Sequence, residues 1–350
     1  DLNNVFFTTC GSTAIDSALR FVQFYFNFLD QPQKKTVIAR DKGYHGSTYF
    51  AASISGKERD KRKLDTLSEN VAFLSDVNPN LRDTNELESQ WCDKKVTELE
   101  NKILELGAEN VAAFVAEPIL ASGGVVIPPK GYHKRTKAIC EKYKVLYISD
   151  EVVTGFGRLG HWFASEEVFD FIPDIITCAK GLTSGYIPMG ATIISNKLMQ
   201  NLQNTNYEEI IFSNGFTYSG HPVSAAAGLK VIEIMERENT LKHVQSVTPL
   251  FQERLAAIEA KFSIVREARG IGLLGCLEGN IGAATTEESK LKKDYDFGSL
   301  IDKAAEKRGL IIRPIINMCV FSPPLTITKE EINILFDILE ESLKEVENTI

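Results

Sequence analysis

Apolar residues recur along this chain in contrasting spacings. The runs Val37-Ile38-Ala39, Val71-Ala72-Phe73-Leu74, Val111-Ala112-Ala113-Phe114-Val115-Ala116 and Val145-Leu146-Tyr147-Ile148 are unbroken and read as buried strands. Ile15, Ala18, Leu19, Val22, Tyr25, Phe26 and Leu29 recur at helical spacing, as do Val96, Leu99, Ile103 and Leu106. A further helix is predicted around 132–143, and short strands at Val5-Phe6-Phe7-Thr8, Ile175-Ile176 and Ala191-Thr192-Ile193-Ile194. The first of these strands reads as buried. Gly11-Ser12-Thr13 reads as a turn with Ser12 as N-cap of the next helix. Strands that alternate with helices and are apolar throughout predict an α/β fold, a mostly parallel sheet sandwiched by helices.

The texture changes near Pro222, which opens a helix to about 237, with another to about 261. Strands are predicted near 263–268, 272–277, 310–313 and 318–321, and a helix near 299–308. Thr328-Lys329-Glu330-Glu331 has capping-box form and starts a last amphipathic helix. The chain therefore divides into a large domain, 1–245, and a smaller C-terminal α+β domain, 246–350.

Composition narrows the function. The chain has 350 residues, 43% hydrophobic and 25% charged, which allows domains sharing a large core. A net charge of −8 without a basic stripe argues against nucleic acid. The run from Lys57 to Lys63 mixes both signs and reads as a solvated loop. Six scattered cysteines without a CxxC pair suit a reducing cytoplasm, and five scattered histidines give no metal site. No apolar run approaches the roughly 20 residues of a membrane span. The N-terminus enters a strand at once and lacks Met, so further upstream sequence is expected.

The chemistry centres on Lys180 and Asp150. A buried lysine can lose its proton and attack a carbonyl. A carboxylate that ends an apolar strand is costly to bury unless a cation, such as a protonated pyridine nitrogen, meets it. Both contacts are what pyridoxal phosphate requires. Gly11 and Ser12 open a helix and could seat an anion, although Ser12 as a simple cap would look the same. Tyr44, in Tyr44-His45-Gly46-Ser47, could stack on a flat ring, and Val152 could pack on the opposite face. Glu117, like Asp150, closes a strand, and such strand ends are where ligands collect in open sheets. Gly155-Phe156-Gly157-Arg158-Leu159-Gly160 satisfies GxGxxG but starts too far past its strand and lacks the following acidic residue, so a dinucleotide site is rejected.

In order, Val5-Phe6-Phe7 with Gly11-Ser12, Tyr44-His45-Gly46, Ala116-Glu117-Pro118, Ile148-Ser149-Asp150-Glu151-Val152, Gly155-Phe156-Gly157-Arg158, Pro173-Asp174, Ala179-Lys180-Gly181 and Thr217-Tyr218-Ser219-Gly220-His221-Pro222 form a recognisable set. Over essentially its whole length the chain resembles the class III, fold-type I pyridoxal-phosphate aminotransferases, most closely the ω-amino-acid and amine:pyruvate enzymes. The resemblance implies that Lys180 attaches the cofactor and moves the proton, and that Asp150 binds the pyridine nitrogen. Tyr44 and Val152 would sandwich the ring, with His45 and Glu117 in the same site. Gly11 and Ser12 would hold the phosphate. Thr217 would reach the phosphate of a neighbouring subunit, which makes a homodimer with shared sites the expected assembly, or a tetramer built from it. Arg313 matches a mobile arginine for substrate carboxylates.

The chain departs from the family at several positions. Cys10 and Thr13 replace the usual Ser and Glu, and Leu120 replaces a common glutamine. Ser122 stands where ornithine- and γ-aminobutyrate-type relatives keep a glutamate that holds an arginine, which weakens those two specificities. The expected reaction is transamination from an ω-amino acid or primary amine to a keto acid, pyruvate before 2-oxoglutarate. A phospho-lyase or aminomutase on the same scaffold is the alternative, and a non-catalytic cofactor-fold protein a third reading. Arg158 is expected to form a structural ion pair, and Cys10 to be a packed thiol.

Overall fold

The computed structural model describes residues 1–203, 211–280 and 286–349. It divides into two units: 1–123 with 127–156 and 161–235, and 124–126 with 157–160 and 236–350.

The first unit is built on a seven-stranded sheet of β1 (Leu2–Thr8), β2 (Thr36–Arg40), β3 (Val71–Leu74), β4 (Val111–Ala116), β5 (Leu146–Asp150), β6 (Ile175–Cys178) and β7 (Gly190–Ser195). The strand order is β1-β7-β6-β5-β4-β2-β3. Pairing is parallel from β3 across to β6, while β7 runs antiparallel to both β6 and β1. Alternate residues of the central strands enter different cores. Val37, Ala39, Ala113, Val115 and Ile148 pack with Ile15, Leu19 and Val22 of helix α1 (Gly11–Phe28). Ile38, Phe114 and Tyr147 pack with Leu99, Ile103 and Cys140. Leu99 and Ile103 belong to the helix Glu88–Leu106, and Cys140 to the helix Tyr132–Lys142. Both faces are thus covered, which explains strands with no polar alternation.

β1 differs from the expectation of a buried strand. It is an edge strand in which Val5 and Phe7 are exposed and only alternate residues are covered. Pairing on one side and covering on one face leave half its side chains open.

The second unit carries a four-stranded antiparallel sheet, β10-β11-β9-β8, from β8 (Val265–Ile271), β9 (Leu274–Gly279), β10 (Arg313–Ile315) and β11 (Met318–Phe321). Helices Thr240–Lys261, Glu287–Glu306 and Lys329–Glu347 supply its core, through Val244, Phe251, Phe297 and Phe336 among others. The units divide after Met235 rather than at 245, because Val244 and Val247 pack in this second core. The helix predicted near 299–308 starts at Glu287; Leu291 is exposed and Phe297 is its first deeply buried apolar residue, so the amphipathic signal appears late. Thr328 caps the last helix as expected, with Oγ1 accepting from the Glu331 N–H at 3.1 Å.

Candidate active site

Asp150 is the last residue of β5 and is 4% exposed. Its Oδ2 lies 2.7 Å from His45 Nδ1. Its Oδ1 accepts from the Val152 N–H at 3.2 Å and from the Thr177 hydroxyl at 3.3 Å. Thr177 is directly paired with Asp150 across the β5–β6 ladder. That register brings the residues following β6 to the same end of the sheet as Asp150.

Lys180 opens the short turn Lys180–Thr183 just beyond β6. Its φ of +37° lies in the left-handed region, an uncommon conformation for a residue with a side chain. A Cβ on Gly181 would come within 2.7 Å of Phe156 Cβ, so only glycine lets this turn lie on the Gly155-Phe156 segment. The GxGxxG stretch therefore includes the bed of the lysine turn. Lys180 was expected to be buried and is instead exposed. The strand stops at Cys178, so the lysine falls past the layer that the helices cover. Its amine makes no hydrogen bond or ion pair among the described residues.

The loop after β2 meets both Asp150 and α1. The His45 backbone N–H donates to Ser55 Oγ at 2.9 Å, which fixes the ring that faces Asp150. Gly46 has φ +137°, and a Cβ there would lie 2.5 Å from Ser12 Oγ. The Ser47 N–H donates to that same Ser12 Oγ at 3.1 Å. Ser12 is not the N-cap. Cys10 holds that position, with its N–H donating to Thr13 Oγ1 at 3.0 Å, and this leaves the Ser12 hydroxyl facing the loop. A Cβ on Gly11 would sit 3.1 Å from Val152 Cγ1, so the start of α1 and Val152 are neighbours.

Glu117 follows β4 and is buried. Its Oε1 accepts from the Tyr44 N–H at 2.9 Å and its Oε2 from the Ala121 N–H at 3.2 Å. Burial raises its pKa, with the nearby His45 charge pulling the other way and Asp150 adding to the rise. Gly11, Ser12, Tyr44, His45, Glu117, Asp150, Val152 and Lys180 are thus linked at one end of the sheet. No hydrogen bond or ion pair joins Thr217 to them among the described residues. Arg313 opens β10 of the second unit and is exposed.

Compared with known families, residues 1–343 match the aminotransferase class-III model. This chain is a class-III aminotransferase. It is 38% identical over 359 residues to a probable gamma-aminobutyrate transaminase 4 of Oryza sativa subsp. japonica, spanning all of this chain and 72% of the relative. Among solved structures, an omega transaminase of Pseudomonas jessenii in complex with PMP is 31% identical with a TM-score of 0.92, over 100% of this chain and 76% of that one. A transaminase with L-ala is also 31% identical with a TM-score of 0.92, over 99% of this chain and 81% of that one. Class-III aminotransferases use pyridoxal 5′-phosphate, and that is the cofactor here. The fold is accordingly fold type I.

Other residues of this aminotransferase correct the sequence reading. Arg158 is held by backbone rather than by an ion pair: Nη1 donates to the carbonyls of Leu273 (3.0 Å) and Pro323 (2.6 Å). Burial lowers its pKa to about 10. Cys10 is exposed, not packed. Burial pushes its thiol up, but hydrogen bonds with Thr13 and Ser12 outweigh this and lower it. Arg40 was missed. It is buried at the end of β2, donates to the Glu117 carbonyl, and leaves Nε and Nη1 without hydrogen-bond partners. The signal was there, a lone arginine closing the apolar run Val37-Ile38-Ala39. Lys57 was read as part of a solvated run and is instead hydrogen-bonded to Ser122. No group of His, Cys, Asp and Glu suited to a metal occurs among the described residues, and no described helix is long and apolar enough to cross a membrane.

Proposed function

We propose that this aminotransferase moves the amino group of an ω-amino acid or primary amine to pyruvate, with Lys180 and Asp150 as its catalytic pair. The observation that carries this reading is the β5–β6 register. It places a buried carboxylate beside the turn that bears an unpaired lysine. The residues present fit pyridoxal phosphate. Asp150 is a buried carboxylate at a strand end, Gly46 and Gly11 allow a close approach that Cβ atoms would fill, and α1 offers a helix N-terminus.

When bound, the cofactor supplies an electron sink. Lys180 Nζ would hold it covalently and, once released as a free amine, would move the proton off the substrate carbon that bears the amino group. Asp150 holds the pyridine nitrogen protonated, and His45 holds Asp150. Tyr44 and Val152 flank the ring. Gly11, Ser12 and the first N–H groups of α1 take the phosphate. Glu117 holds the Tyr44 backbone. Arg313 takes the substrate or acceptor carboxylate through a bidentate guanidinium contact.

Two comparisons shape the donor and acceptor. The matched relatives with gamma-aminobutyrate transaminase names bring γ-aminobutyrate into the donor class, which Ser122 alone argued against. The matched transaminase with L-ala supports pyruvate, since alanine is its aminated form. A homodimer with shared sites is part of the proposal. Val5, Phe7, Tyr186, Tyr218, Val223 and Leu229 are exposed apolar side chains on β1, near Thr217 in sequence or after Lys180, as a self-association surface would require. The six thiols suit a reducing compartment such as the cytoplasm, although some relatives are named mitochondrial.

The test is an alanine assay with pyruvate and β-alanine, γ-aminobutyrate or an uncharged aliphatic amine as donor. Arg313→Ala should cut kcat/KM for pyruvate about tenfold or more, the loss expected for one charged contact. If Arg313→Ala slowed only the uncharged amine and left pyruvate untouched, its role as carboxylate binder would be wrong.

A further inference from the structure

We propose that Lys57 is a positioning residue for the cofactor, acting through the ring of Tyr44. The proposal rests on the reading that Tyr44 flanks the cofactor ring. Lys57 springs from a fixed backbone. Gly56 forms a bridge with Asp41, its N–H donates to the Gly43 carbonyl at 2.9 Å, and a Cβ there would collide with the Arg40 carbonyl at 2.1 Å. The Lys57 ammonium donates to the Ser122 carbonyl at 2.5 Å and to Ser122 Oγ at 2.8 Å. From that anchor it lies 5.6 Å from the centroid of the Tyr44 ring. An ammonium at that distance over an aromatic face is attracted by the ring's quadrupole.

Tyr44 is then held from three directions. Its N–H is fixed by Glu117, its hydroxyl lies 3.0 Å from Ser47 Oγ, and one region of its ring is covered by Lys57. Tyr44 as a residue is still 38% exposed, which leaves room for a second partner. Glu117 ties the loop after β2 to the segment 117–122, and Lys57, beyond the helix Tyr49–Ser53, makes a second tie to the same segment. Ser122 is therefore the anchor of the lysine. A tyrosine already ordered in the apo protein loses less side-chain freedom when it stacks.

The experiment is a titration of apo protein with pyridoxal phosphate in a double-mutant cycle of Lys57→Met and Tyr44→Leu, with Lys57→Arg as the conservative variant. Dissociation constants and the visible circular dichroism of the bound cofactor are read together. Lys57→Met should weaken binding about three- to tenfold and reduce the dichroism, while Lys57→Arg retains both. In the Tyr44→Leu background the Lys57→Met effect should vanish. Equal weakening in both backgrounds would overturn the proposal and assign Lys57 a general charge effect. So would unchanged binding in Lys57→Met when Tyr44→Leu alone binds weakly. If Tyr44→Leu itself binds normally, the underlying reading of Tyr44 fails instead. Apo-protein melting temperatures check that each variant is folded.

Discussion

Asp150 shows what a single position conveys. Its place at the end of an apolar run marked it from the sequence as a costly carboxylate in need of a partner. The partner seen in the fold is His45, distant in sequence, and nothing in the spacing of the two could have announced the pair. Lys34 was invisible for the same reason. It is buried and donates to the carbonyls of Ala108 (3.0 Å), Val111 (2.8 Å) and Lys144 (3.0 Å). Burial lowers its pKa from 10.5 to about 8. The unfolded chain then binds this proton more tightly than the native one, so the stability it contributes rises with pH between about 8 and 10.5. Lys34→Met should cost roughly 2–4 kcal/mol at neutral pH, because three buried carbonyls lose their donor. In urea unfolding, the gap between wild type and Lys34→Met should widen as pH climbs through that window. A gap that narrows would contradict the assignment.

At the level of elements, the central strands were legible because helices cover both of their faces, so the sequence shows unbroken apolar runs. β1 was misread because an edge strand can carry Val5 and Phe7 outward and still look like a core segment. The helix Glu287–Glu306 was truncated in the reading because its first half lacks a buried stripe. The glycines were only half legible. Their motif was visible, but which neighbour each accommodates was not. Gly46 is the clearest case, since its φ of +137° and its contact with Ser12 join the loop after β2 to α1. Gly46→Ala should push these elements apart, cost about 1–3 kcal/mol, and weaken cofactor binding by at least about tenfold. Cofactor titration of the purified variant checks this, and wild-type affinity would show that the loop and α1 need not touch.

For the whole molecule, the family explains both the large sheet and the second unit, while the shared site remains a proposal with its own test. If Thr217 serves a neighbouring subunit, Lys180→Ala and Thr217→Ala fall together in one site of a mixed dimer and leave the other site intact. Mixing the two variants at limiting cofactor should restore activity that neither shows alone. Failure to restore it, with exchange of subunits verified, would place both residues in one chain's site. Lys180 and Asp150 are proposed to run a transamination. The visible absorption spectrum of the cofactor-loaded protein tests this most directly. The wild-type band should bleach with β-alanine or γ-aminobutyrate and return with pyruvate, and in Lys180→Ala it should be altered so that no donor cycles it. A wild-type band that no amine bleaches, or a Lys180→Ala protein that cycles normally, would contradict it.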